Sequence, residues 1–304
     1  MTRSTATPMT WGAVAVAIVA VGGSGPLMAA AASVVPALAI AFWRNAMALS
    51  VLAPVTVVRL GRNRGARPDR RTVLRCSLAG ILLAGHFATW VPSVTMTSVA
   101  TATALVCTQP IWAALIALRS GQRFSSRFWA GVVLAVVGVA LMTGADVTVS
   151  GRALLGDALA LAGAVLAAAY VTVGAGIRAE TSTTTYTTFG YGSCAAVLLV
   201  VCLIGGVRLE GYPAHTWLLL AAVTIGPQLL GHSLINWALS SISATAISVA
   251  LLLEVPGAAL LAWVILDQAP PLLAWPGIAV LLIGLAFVVL GSRSGAPDGV
   301  PHDV

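Results

Sequence analysis

Four ionisable side chains stand inside stretches too apolar for them: Arg44, His86, His232 and Glu254. Glu254 sits in SISATAISVALLLEVPGAALLAWVIL, residues 241–266. Such a run can cross a bilayer, since about 20 apolar residues rising about 1.5 Å each span the hydrocarbon. A charged side chain at that depth costs about 3 kcal/mol on insertion scales, so an intramembrane acid is a functional group by default. Arg44, in FWRNAMALSVLAP, is the matching deep base. Each would be costly alone, so the two are expected to pair. The pair would be either a fixed bridge or a polar site that binds a zwitterion or releases a proton when partners change.

The histidines carry stripes with them. His86 shares a helical face with Thr89, Trp90 and Ser93, and His232 shares one with Gln228 and Asn236 at steps of four. Polar stripes within spanning helices face the bundle interior or a wet cavity. One reading is helix-to-helix hydrogen bonding. The other is a proton relay, since imidazole is the side chain most easily moved across neutral pH. Trp43 and Trp90 lie too deep for interface anchors and are expected to wall a cavity, with a cation–π site for an amine as a weaker option; Trp237 lies nearby. Pro256, two residues after Glu254, and Pro110, after Gln109, are each expected to kink a helix, because proline lacks the N–H and crowds the preceding turn. Arg44, His86, Trp90, Gln109, Gln228, His232, Asn236 and Glu254 are thus the candidate lining of one central pocket.

These residues need a frame of helices. Of 304 residues, 59% are hydrophobic and 8% charged, with mean hydropathy +0.98; soluble domains carry about 25% charged residues. The chain is therefore a polytopic membrane protein. Its apolar segments predict ten helices over 10–31, 34–58, 73–94, 97–118, 126–144, 153–177, 184–206, 215–238, 241–266 and 271–291. The N-terminal segment mimics a signal peptide, but the symmetry described below needs it as a helix. The formal charge of +7 comes from arginine without lysine, and it clusters in loops rather than marking a nucleic-acid surface. RLGRNRGARPDRRTVLR alone holds seven arginines; Arg119, Arg123, Arg127, Arg178 and the tail residues Arg3 and Arg293 fall on the same side, and only Arg152 and Arg208 on the other. The positive-inside rule makes the rich side, with both termini, cytoplasmic. The arginine- and alanine-rich composition suggests a bacterial chain, hence the cytoplasmic membrane. Cys76, Cys107, Cys194 and Cys202 form no CxxC pair and read as small buried hydrophobes, without disulfide, metal or cofactor.

The chain also repeats itself. Gly85-His86 recurs as Gly231-His232, Pro110 as Pro256, Gln122 as Gln268, Gly131 as Gly277 and Gly138 as Gly284, each 146 residues on (256 − 110). Two five-helix halves follow, 10–144 and 153–291. Five is odd, so the second half enters from the opposite side. Inverted repeats are characteristic of secondary transporters, whose sites lie at the midplane between halves.

HFATWVPSVTMTSVATATALVCTQPIWAALIALRSGQRFSSRFWAGVVLAVVGVALM resembles the first repeat of the drug/metabolite transporter superfamily, EamA type, and SATAISVALLLEVPGAALLAWVILDQAPPLLAWPGIAVLLIGLAFVVL its second; Arg44 also fits the pattern. The resemblance implies ten helices, cytoplasmic termini and export or uptake of small metabolites; the function read from the chain is a secondary transporter of small metabolites or drugs, with export the favoured direction. The family usually has a Glu after the fourth and ninth helices, where this chain has Gln122 and Gln268, so coupling arguments built on that Glu do not transfer. The expected partners are a small-molecule substrate, the lipid bilayer and the proton as coupling ion. The competing classes are a flippase for lipid-linked substrates and a membrane-embedded enzyme. The second lacks a nucleophile–base pair, an Asp dyad or an HExxH motif.

Overall fold

The computed structural model describes residues 7–61, 67–119, 121, 123–144, 150–269, 272 and 274–293, which form helices and short connections. Helix α1 runs Pro8–Ala31 with a break at Gly23, α2 Ala37–Gly61, α3 Arg70–Ser93 and α4 Val99–Arg119. Helix α5 covers Ser126–Gly144, α6 Gly151–Arg178, α7 Thr183–Ile204 and α8 Ala214–Ala238. Helix α9 is built from Ala244–Ala250, Leu251–Leu253 and Glu254–Leu266, and α10 covers Ala274–Arg293. Eight segments are long and apolar enough to cross a membrane; α5 and α10 supply shorter apolar stretches, Ser126–Gly138 and Ala274–Val288. Local chemistry sets the starts. Side chains of Thr7, Asp69, Ser98, Ser150 and Ser182 accept from main-chain N–H groups in the first turns of α1, α3, α4, α6 and α7, satisfying donors a helix leaves open. Helix α9 ends at Asp267, the single non-glycine residue at positive φ (54°) among those described, with Gln268 beside it. Gln122 lies outside the described residues.

Besides the break at Gly23 in α1, three interruptions sit inside helices among the described residues. Helix α4 breaks at Cys107-Thr108, just before Pro110. Helix α9 tightens to a 3₁₀ turn over Leu251–Leu253, just before Pro256. In each the break falls where the proline crowds the turn preceding it. The third was not foreseen. Helix α8 widens to a π-helix over Thr224–His232, where the Ser233 N–H reaches back five residues to the Gln228 carbonyl. Pro227 cannot donate to the Val223 carbonyl four residues before it, so the regular ladder is already broken there.

The bundle is layered by glycine. Helix α3 meets α7 with Gly80 against Gly190, and α5 meets α10 through two reciprocal contacts. A Cβ on Gly131 would fall 2.5 Å from the Gly284 carbonyl, and one on Gly138 would fall 2.8 Å from the Gly277 carbonyl. Since 277 and 284 are the positions 146 after 131 and 138, residue 131 meets the counterpart of 138 and residue 138 that of 131. The contact order reverses, so α5 and α10 run antiparallel.

Candidate functional site

A cavity of about 50 Å³ lies at the centre. Its walls come from α1 (Val21, Ser24), α3 (His86, Trp90), α4 (Val106, Cys107, Gln109), α6 (Ala167, Tyr170, Val171), α8 (His232, Ile235) and α9 (Ser248, Leu251, Glu254). These are the first, third and fourth helices of each half. Three wall pairs stand 146 residues apart: Val21 and Ala167, Ser24 and Tyr170, His86 and His232. Glu254 breaks the symmetry, because its counterpart is Thr108, whose hydroxyl donates to the Leu105 carbonyl at 2.7 Å.

The broken helices bring their ends together at this cavity. Gln109 Nε2 donates to Ser248 Oγ at 2.9 Å, and the Cys107 thiol faces the Leu251 carbonyl at 3.7 Å. His86 Nδ1 lies 3.0 Å from the Gly163 carbonyl; a carbonyl only accepts, so Nδ1 carries a proton and a neutral ring keeps its lone pair on Nε2. The ring stacks on Trp90 with centroids 5.5 Å apart. His232 meets the Phe87 ring edge-on at 5.4 Å. Trp90 is 3% exposed, and its Nε1 has no hydrogen-bond partner among the described residues. Nor does the Glu254 carboxyl have one, although Glu254 is 8% exposed. The chamber therefore offers a spare donor and a spare acceptor between aromatic walls.

The expected bridge from Arg44 to Glu254 does not form. Among the described residues the ion pair is Arg75–Glu180, at 3.3 Å. Arg44 is fully buried and is held by neutral groups, Nε by Gln228 Oε1 at 2.8 Å, and Nη1 by Ser24 Oγ at 3.2 Å and Met28 Sδ at 3.3 Å, while Nη2 has no hydrogen-bond partner among the described residues. Its guanidinium lies 4.2 Å over the Phe87 ring, a cation–π contact that needs no carboxylate. Arg44, Gln228 and Asn236 accordingly do not line the cavity but form a layer behind it. Gln228 Nε2 donates to Asn45 Oδ1 at 3.1 Å, and its main-chain carbonyl, which accepts the Ser233 N–H, is also reached by Tyr191 OH at 3.4 Å. Tyr170 OH donates to Asn236 Oδ1 at 2.8 Å, and Asn236 Nδ2 to Tyr191 OH at 3.4 Å.

Other expectations change too. Trp43 is not a cavity wall: its Nε1 donates to the Leu209 carbonyl at 2.8 Å and its ring meets Trp217 edge-on, next to Tyr212. It is an end-of-helix aromatic cluster of the kind that marks membrane interfaces. Trp237 is absent from the lining. Sequence reasoning missed Tyr170, Tyr191, Asn45 and Arg178. Arg178 reads as a loop arginine, yet it is 6% exposed and binds the Asn236 carbonyl at 2.8 Å and Thr183 Oγ1 at 2.7 Å. Asp157, two turns into α6, is a further acid inside a helix, with a buried Oδ1.

A bundle of apolar helices, four of them interrupted and with a cavity at the breaks, is the arrangement found in membrane transporters. The model of the EamA-like transporter family matches residues 10–144 and 154–290, so the chain belongs to that family and carries its two repeats. No curated protein matches the chain. The fold is similar to that of a protein of known crystal structure at 18% identity, with TM-score 0.68, covering 95% of this chain and 99% of that one.

Proposed function

We propose that this protein is a secondary transporter that carries small metabolites or drugs across the bacterial cytoplasmic membrane by alternating access, with export the favoured direction. The observation that carries the reading is the central cavity, to which matched helices of the two repeats contribute in equal number and which holds an unpartnered carboxylate, Glu254. At about 50 Å³ it has room for a few waters, at about 10–15 Å³ each. A drug-sized ligand occupies about 300–1,000 Å³, so loading requires the walls to part. Helices already broken at the cavity are the natural place for that movement.

Glu254 is the proposed coupling group: it takes up a proton in one orientation and releases it in the other. His86 and His232 are the proposed relay on the opposite wall, and Gln109 with Ser248 the contact remade during the cycle. The halves are proposed to be inverted and to hold ten spans, supported by the exchanged glycine contacts of α5 and α10. The test is flux of labelled metabolites in proteoliposomes, with and without an imposed pH gradient. Flux that follows the gradient supports the proposal; flux indifferent to it removes the proton, and no flux for any small solute removes the transport reading.

A further inference from the structure

The cytoplasm-assigned end of α3 carries a feature that substrate transport does not use. Arg70, Arg71, Leu74, Arg75 and Leu78 line one open groove of about 490 Å³. The spacing of these residues, one turn apart in two adjacent rows, places them on one helical face. Arg75 is engaged with Glu180 at 3.3 Å. Arg70 and Arg71 make no hydrogen bond or ion pair among the described residues. The nearest acid, Asp69, accepts from the Thr72 N–H at 2.8 Å as the helix cap. Below the arginines the face turns apolar and open: Leu74 is 58% exposed, Leu78 51% and Ile81 49%.

Charge and apolarity are thus ordered along the helix as they are along a phospholipid, with the positive end at the helix terminus and the apolar strip running into the bilayer. We infer that this groove is a seat for an anionic phospholipid, whose phosphate is held by Arg70 and Arg71 and whose acyl chain lies along Leu74, Leu78 and Ile81. Arginine suits this role because its planar fork binds phosphate oxygens in pairs. Basic clusters where a spanning helix leaves the membrane attract anionic headgroups; here the strip beneath makes the attraction local. The inference needs only that α3 spans the bilayer and does not depend on how substrate is coupled.

The experiment titrates delipidated full-length protein with phosphatidylglycerol, with phosphatidylcholine of the same chains and with glycerol 3-phosphate, reading binding by native mass spectrometry. The expected result is preferential retention of phosphatidylglycerol. Arg70→Gln/Arg71→Gln should weaken it about thirtyfold, while the exposed pair Arg123→Gln/Arg127→Gln, just before and at the start of α5, changes it less than about threefold. Arg71→Glu alone should also abolish the preference, which guards against a defect peculiar to the double variant. Equal retention of phosphatidylcholine overturns the inference. So does equal loss in both double variants, which means diffuse attraction, or glycerol 3-phosphate binding as tightly as the lipid, which means a phosphate site without a chain seat.

Discussion

Glu254 and Arg44 are both buried ions, but they differ in what holds them. Arg44 has three hydrogen bonds and a ring face, whereas Glu254 has no hydrogen-bonding group among the described residues. Removal should therefore act in opposite ways. Arg44→Lys keeps the charge but loses the Nε bond to Gln228 and the flat stack on Phe87, so it should destabilise by about 2–4 kcal/mol, read as a lower Tm in detergent. Glu254→Gln removes a charge without orphaning a partner. It should shift Tm by less than about 3 °C, the change that about 1 kcal/mol gives in a chain of this size, and abolish proton-driven flux in proteoliposomes. Wild-type flux from Glu254→Gln at wild-type stability sinks its coupling role, and a collapse of Tm makes it a structural residue whose partner lies elsewhere. Sequence located both ions but not their partners. Charge matches Arg44 with Glu254, each being the obvious opposite, and charge alone says nothing of neutral amides, hydroxyls and thioethers. Gln228 from α8 and Ser24 and Met28 from α1 take the place expected of a carboxylate.

At the scale of elements, apolar run length and the prolines were the legible part. Start and end residues fell within a few positions of those read from hydropathy, because caps such as Ser98 and Ser182 sit where the apolar run begins. The π-helix in α8 was not legible. TIGPQLLGH has the composition of any spanning segment, and only the partner of the Ser233 N–H reveals the extra residue in the turn. The Gln228 carbonyl accepts the Ser233 N–H and is also reached by Tyr191 OH, and Gln228 and Asn236 sit in the buried layer while His232 lines the cavity. The glycine pairs were legible as repeats but not as contacts. They support a sharp expectation: Gly131→Val and Gly284→Val each drive a side chain into a facing main chain, with the first Cβ already 2.5 Å or 2.6 Å from a backbone atom. Each should cost about 1–3 kcal/mol, the usual penalty of overpacking, while Gly12→Ala, with no heavy atom within 4 Å, should leave Tm unchanged or slightly raised. Equal Tm for all three variants would mean that α5 and α10 do not bear on one another in the membrane.

For the whole molecule, side-chain bonds between connections sort the helix ends into two sides. Arg75 to Glu180 and Arg59 to Thr184 join the start of α3 and the end of α2 to the turn between α6 and α7 and to the first turn of α7. On the other side, Arg152 at the start of α6 donates to the Thr95 carbonyl after α3, and Trp43 near the start of α2 donates to the Leu209 carbonyl before α8. If α3 ends and α6 starts on the same side, α4 and α5 together cross an even number of times, and because α4 is long and apolar enough to cross, the proposed ten-span arrangement has α5 cross with it. Because α10 runs antiparallel to α5, it crosses in the return direction. Arg178, holding the Asn236 carbonyl, puts the end of α8 back on the side of α2's end, leaving α9 to cross once. Ten crossings, the number proposed, would return the chain to its starting side, which the positive-inside rule would then make cytoplasmic. The prediction is that reporters fused to either terminus, and one inserted after Ala179, behave as cytoplasmic, whereas cysteines introduced at Val207 or Glu210 react with an impermeant thiol reagent from outside intact cells. Termini on opposite sides would mean an odd number of spans and would end the inverted-repeat reading. Labelling at Glu210 only after permeabilisation, with both termini cytoplasmic, would leave the number even but place α7 and α8 within one face.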